Sequence, residues 1–233
     1  MNAKKPALNK RKNESGNVLF YILIAVALIA ALSFAVSSSD RGSMGQIDNE
    51  RARLLSSEML EYSSNVATAV NQLKLRGCSD TQISFQNATS TADYTNTGNP
   101  TGDNTCHVFH ISGAGLQFRD APVGASDLAE SILFDGNMEI ENIGMTAGDA
   151  SSSELLLIYR DIGQNVCEAI NDLLGLSSLS PTDTALDFVA FQGTYAYANT
   201  IGDEDAALDG MRAGCVQETT GSTYNFYRVL IAR

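Results

Sequence analysis

Basic residues are scarce in this 233-residue chain: 15 Lys plus Arg stand against 27 Asp plus Glu, for a formal net charge of −12. Nucleic-acid binding relies on Lys and Arg neutralising phosphates, so this acidic balance argues against that class of function. Histidine occurs twice, cysteine and proline four times each, and tryptophan not at all. The two histidines, His107 and His110, have no Gly-x-Ser-x-Gly elbow to serve, so no nucleophilic-triad signature is present. No Cys-x-x-Cys pair occurs and the cysteine spacings are long and irregular, which speaks against a zinc site. What the chain does have is apolar: 44% hydrophobic residues against 18% charged, with 9 Phe and 8 Tyr. That is enough to build a packed core and to set global disorder aside. The length exceeds one average domain without requiring two.

The charge is unevenly placed. Lys4, Lys5, Lys10, Arg11 and Lys12 against Glu14 give residues 1–16 a net of +4, which leaves −16 on the rest of the −12 chain. Directly after this basic segment, Val18 to Val36 reads VLFYILIAVALIAALSFAV, in which Ser33 is the only strongly polar side chain. As a helix at ~1.5 Å per residue this run is ~28 Å long, close to the ~30 Å hydrocarbon core of a bilayer. The positive-inside rule keeps the basic flank in the cytoplasm and sends everything after Ser37 to the periplasm or the exterior.

Three readings of this segment differ in what is cut. A cleaved secretory signal has a shorter apolar stretch, with Ala35-Val36-Ser37 as a passable small-residue site. A plain signal anchor fits the length but leaves the polar motif Asn13-Glu14-Ser15-Gly16-Asn17 without a purpose. The third reading uses that motif: a short basic leader, then Gly16, then an uninterrupted hydrophobic helix from Asn17.

On these residues the chain resembles the type IV pilins and pseudopilins. The resemblance implies cleavage after Gly16 by a prepilin peptidase, Asn17 as the new N-terminus, and retention of the hydrophobic helix. The sequence departs from the group's pattern at Tyr21, where most members carry a glutamate. The segments CHVFHISGAGLQF and DIGQNVCEAINDLLG also look like pieces of proteobacterial pilin-like proteins.

Ser37 to Gly45 is polar and holds two glycines, each costing a helix ~1 kcal/mol relative to Ala, so a weak junction is expected there. Periodicity then resumes. Asp48 is a plausible N-cap, and Leu55, Met59, Tyr62, Val66, Ala69 and Leu73 recur at helical spacing. Glu50, Arg53, Ser57, Glu61 and Ser64 occupy the opposite face, and Gly77 is the natural stop. Short strands are expected at Gln82–Phe85, Cys106–Ile111, Leu116–Phe118, Ile132–Phe134, Met138–Ile143, Glu154–Tyr159, Phe188–Tyr197 and Tyr224–Ile231. A second helix is expected from Asp161 to Leu174, using Ile162, Val166, Ile170 and Leu173, with a stop at Gly175. The sum is an α+β fold: a long N-terminal helix, half hydrophobic and half amphipathic, packed on a mostly antiparallel sheet with one additional helix. The divisions are a leader over 1–16, a transmembrane or filament-core helix over 17–36, a flexible junction over 37–47 and an extracytoplasmic domain over 48–233.

Cys78, Cys106, Cys167 and Cys215 all fall outside the cytoplasm in this topology, where oxidation is expected. Three pairings are open to four cysteines. Cys78 with Cys106 and Cys167 with Cys215 is preferred, because each pair brackets a loop-rich stretch, and each bridge would contribute ~3 to 4 kcal/mol. His107 and His110, on a strand, would point to opposite faces and share no metal. The segment from Gly202 to Gly210 concentrates carboxylates. Asp203, Asp205 and Asp209 are weak calcium candidates, since no EF-hand spacing is present and a solvated acidic loop is the favoured reading. Some pseudopilins bind calcium in a C-terminal loop, which keeps this hypothesis in place.

The function expected is that of a pilin-like structural subunit rather than an enzyme, with no cofactor and no catalytic residue. The resemblance implies self-assembly into a homo-oligomeric filament through the hydrophobic helix, with prepilin peptidase, inner-membrane assembly machinery and the lipid bilayer as partners. Its location would be the inner membrane first, then a periplasmic or extracellular filament. The alternative is a single-pass membrane-anchored periplasmic binding or adhesin domain that does not polymerise.

Overall fold

The computed structural model describes residues 15–96, 98–99 and 103–233, with side chains omitted at 15–18, 32 and 34–47. The basic leader up to residue 14 therefore lies outside the described residues. The chain divides into two units, Met1–Ile47 and Asp48–Arg233. Its elements in order are α1 (Ser15–Leu75), a 3₁₀ turn (Asp80–Gln82), β1 (Ile132–Asp135), β2 (Met138–Ile140), β3 (Leu155–Tyr159), α2 (Gln164–Leu174), β4 (Thr182–Asp183), β5 (Asn199–Ile201), β6 (Ala213–Glu218) and β7 (Thr223–Ile231). This is a mixed α+β fold with a predominantly antiparallel sheet.

In the second unit, five strands run in the order β1-β3-β7-β6-β4. The first three pairings are antiparallel, and β4 joins β6 in parallel. β3, LLLIY, has a neighbour on each side and is buried at every position, so its unbroken apolar run is what a central strand requires. β2 and β5 form a separate parallel pair. From residue 48 onward, α1 turns Met59, Tyr62, Val66, Ala69 and Leu73 into the core, with Leu55 partly covered. Glu50, Arg53, Ser57, Glu61 and Ser64 are exposed. Asp48 stands inside α1 as bounded and is not an N-cap. The helix ends as expected at Gly77, whose φ is +97°. There the amide of Cys78 donates to the carbonyl of Leu73 and that of Gly77 to Lys74, the paired bonds of a Schellman ending.

α2 begins at Gln164 rather than Asp161, because Gly163 is extended and serves as the N-cap. Its buried side uses Val166, Cys167, Ile170 and Asn171, while Leu173, expected inside, is exposed.

Several expected strands are not strands. Over 106–115 the amide of His107 bonds back to Asn104, Ala114 to His107, and both Gly113 and Gly115 to His110. These are successive turns, and the segment keeps only a single bridge, Ser84 with His107. The apolar residues of this segment serve the turns and not a pleat: Val108 is buried, and Phe109 packs against Phe118 and Phe134. Gln82–Phe85 is the end of the 3₁₀ turn plus that bridge, and Leu116–Phe118 is irregular. Phe188–Tyr197 runs beside the β1 edge through scattered bonds, including Phe191 N–H to Phe134 carbonyl. Phe191 and Tyr195 face an aromatic cluster there, which accounts for the strand-like composition. β4, β5 and β6 were not anticipated. β6, AGCVQE, carries a glycine and ends in polar residues, so tertiary pairing with β7 rather than composition makes it a strand.

Candidate functional site

Within the first unit, the described side chains over 19–31 are all exposed, with Leu19 at 66%, Tyr21 at 64% and Leu28 at 61%. A helix apolar on every side is stable only where lipid or protein covers it. Tyr21 sits edge-on to Phe20 with ring centroids 6.4 Å apart. Gly16 and Asn17 fall in α1, but their side chains are among those not described. No helix among the described residues is long and apolar enough to cross a membrane. The described side chains of this stretch cover only 19–31 and 33, fewer than a span needs.

The four cysteines form two disulfides, Cys78 to Cys106 and Cys167 to Cys215. The first fastens the end of α1 to the turns around residue 106, and the second fastens α2 to β6. Asn171 reinforces the second link from one helical turn away. Its amide group donates to the carbonyls of Cys215 at 2.7 Å and Leu179 at 3.0 Å, and its oxygen accepts from the Cys215 amide at 2.8 Å.

The acidic segment does not bring its carboxylates to one point. Asp209 accepts a hydrogen bond from the Asn142 side chain at 2.6 Å, while Asp205 accepts from the amides of Ala207 and Thr182. Asp203 has no hydrogen bond in common with either. Among the described residues no group of three or more His, Cys, Asp or Glu is placed to hold a metal ion. The histidines are closer than a strand would allow, with ring centroids 6.2 Å apart on the turn. Nδ1 of His110 accepts from the Ser112 amide at 3.1 Å, and His107 is lowered from its ordinary pKa by burial first and by His110 second.

Sequence reasoning missed four carboxylates that the fold buries completely: Asp135, Glu139, Glu154 and Asp183. Asp135 accepts from the amides of Val189, Asn137 and Met138, tying the 188–197 segment to the β1–β2 turn. Burial pushes its carboxyl up to about 6. Asp183 accepts from Gly202 and Thr184, and burial, with Asp203 and Glu204 nearby, raises it to about 6 as well. Burial raises Glu154 to about 7, with Glu139 as a further cause. For three of them the signal was present in the sequence, since Asp135, Glu139 and Glu154 lie within or directly beside a short apolar strand where a solvated charge has no place, whereas Asp183 sits in the polar two-residue β4.

Comparison with known proteins finds no family model, no curated protein and no solved structure that matches this chain.

Proposed function

We propose that this chain is a pilin-like structural subunit, not an enzyme, inserted in the inner membrane through Val18 to Val36 and assembled into a periplasmic or extracellular filament. In this reading a prepilin peptidase cuts after Gly16. The helix from Asn17 is solvated first by lipid and then by the equivalent helices of neighbouring copies. The long N-terminal helix of the pilin-like architecture would then join a filament core to the domain over 48–233. The observation that carries the reading is an apolar helix with no polar face, placed directly after a basic segment and the Gly16-Asn17 boundary. The acidic outer domain, with its two disulfides, suits an oxidising compartment.

Tyr21 favours a second reading, a membrane-tethered binding or adhesin domain that never polymerises, because the glutamate associated with subunit insertion is absent. Intact-mass analysis of the protein recovered from cells making it separates the two. A mature chain starting at Asn17 is expected for the subunit, and Gly16→Val should retain the leader and abolish filaments. An intact leader in the wild type would favour the tether, and a start near Ser38 would mean a secreted domain.

A further inference from the structure

Glu139, in the middle of β2, and Glu154, directly before β3, are both completely buried. The backbone sets them side by side. The Glu154 amide donates to the Met138 carbonyl at 2.9 Å, and the Ile140 amide donates to Oε2 of Glu154 at 2.8 Å. Glu154 is thus bonded to the residues on either side of Glu139. One oxygen of Glu139, Oε2, accepts from the Gly148 amide at 2.9 Å and from the Ser152 hydroxyl at 2.5 Å. The other oxygen of each carboxylate, Oε1, is buried and has no hydrogen-bond partner among the described residues.

Two ionised carboxylates in this setting would be doubly unfavourable, since each keeps an unsatisfied buried oxygen and each repels the other at low dielectric. Among the described residues the ion pairs are Arg53 with Asp172 and Lys74 with Asp80, so neither glutamate has a cationic partner. A single proton relieves both penalties, because a protonated carboxyl supplies the O–H donor that an orphaned carboxylate oxygen accepts.

We propose that Glu139 and Glu154 hold one proton between them in the folded protein, and that this shared proton latches loop 144–152 and residues 232–233 onto the β2 and β3 region. The latched pieces meet at the pair. Ser152 and Gly148 bind Glu139, Ile231 pairs with Leu155 directly after Glu154, and the Met145 amide donates to the Arg233 carbonyl at 2.6 Å. The Arg233 guanidinium donates to the Ala150 carbonyl at 3.0 Å and lies 3.9 Å from the centroid of the Tyr195 ring. The titratable and charged groups facing the pair are therefore Tyr195, Arg233 and, on the loop, Asp149. Burial raises the Tyr195 phenol, which stays neutral, and hydrogen bonds from Ser151 lower Asp149, which stays ionised.

Burial first, and the Glu139 charge after it, raise Glu154 from an ordinary 4.5 to about 7, in keeping with a retained proton. The folded state then binds this proton more tightly than the unfolded chain does. The stabilisation is complete below 4.5 and is lost as pH rises through about 7. Asp135 and Asp183 act with the same sign in a lower window, up to about 6, so the decisive quantity is a difference between wild type and variant.

The test is thermal unfolding of the full chain in detergent at pH 5 and pH 8, for wild type and Glu154→Gln. Gln keeps the acceptor for Ile140 and mimics the neutral acid. The two melting temperatures should lie within about 2 to 3 °C at pH 5, and the variant should exceed wild type by about 5 °C or more at pH 8. Carbon-13 NMR of glutamate-labelled wild type supplies a readout that needs no variant. A buried carboxyl should titrate near 7 in wild type and fall toward the ordinary value in Glu139→Gln. Parallel melting curves, or both carboxyls titrating near 4.5, would overturn the proposal. So would a pH 8 melting temperature that calcium raises and a chelator lowers in wild type alone, since a bridging cation would then occupy the proton's place.

Discussion

Asn171 shows how one polar side chain can set the docking of a whole element. It is completely buried on α2, yet its three hydrogen bonds satisfy the amide and carbonyl of Cys215 and the carbonyl of Leu179. Replacing it with Ala removes the partner of a buried donor and of two acceptors together. That asymmetry costs more than the bond itself, because the groups left behind are desolvated. Asn171→Ala should lower stability by about 2 to 3 kcal/mol, read as a shift in the urea midpoint with an unchanged slope. Leu54→Ala is the matched control. Leu54 is 72% exposed on α1, so the change should stay within about 0.5 kcal/mol despite the larger loss of apolar volume. The Cys167 to Cys215 bridge joins the same two elements, so removing bridge and amide together should not be additive.

At the scale of elements, the helix endings rest on backbone geometry alone. Gly77 at φ +97° and Gly175 at φ +71° close α1 and α2 through the same pair of bonds, and a Cβ built at either meets no atom within 4 Å. Ala at either position therefore isolates the left-handed conformation from any steric clash. Gly77→Ala and Gly175→Ala should each cost about 1 kcal/mol, a drop of about 2 to 4 °C in melting temperature for a chain of this size. Both endings were legible in the sequence, because a periodic apolar face followed by Gly is a local signal. The inward face of α1 from Met59 to Leu73, the central strand LLLIY and the long β7 were legible for the same reason. The turns around 106–115 were not, since Cys106 to Ile111 mixes apolar and polar residues as a strand would while the amides of His107, Gly113, Ala114 and Gly115 bond backwards along the chain. β4 and β6 escaped notice because pairing with distant partners defines them. The buried glutamates are less legible than the acidic 202–210 loop because each stands singly beside an apolar strand, where only burial marks it.

For the whole molecule, the division of labour follows from where the buried residues lie. Every residue of the hydrophobic core, from Ala52 to Leu230, belongs to the unit Asp48–Arg233, as do both disulfides and all seven strands. The described side chains over 19–31, in the other unit, are exposed and apolar. The fragment 48–233 should therefore fold alone, with a cooperative thermal transition and protected amides in β3 and β7. It keeps the whole −16 that lies beyond the leader, because Asp40 and Arg41 cancel, and a net charge this far from zero opposes self-association. Sedimentation of the fragment should give a monomer in detergent-free buffer. The chain from Asn17 should require detergent, lipid or its own copies to stay dispersed. A full-length chain that sediments as a soluble monomer without detergent would mean that 18–36 is covered by some other part of the protein, and the filament reading would lose the observation that carries it.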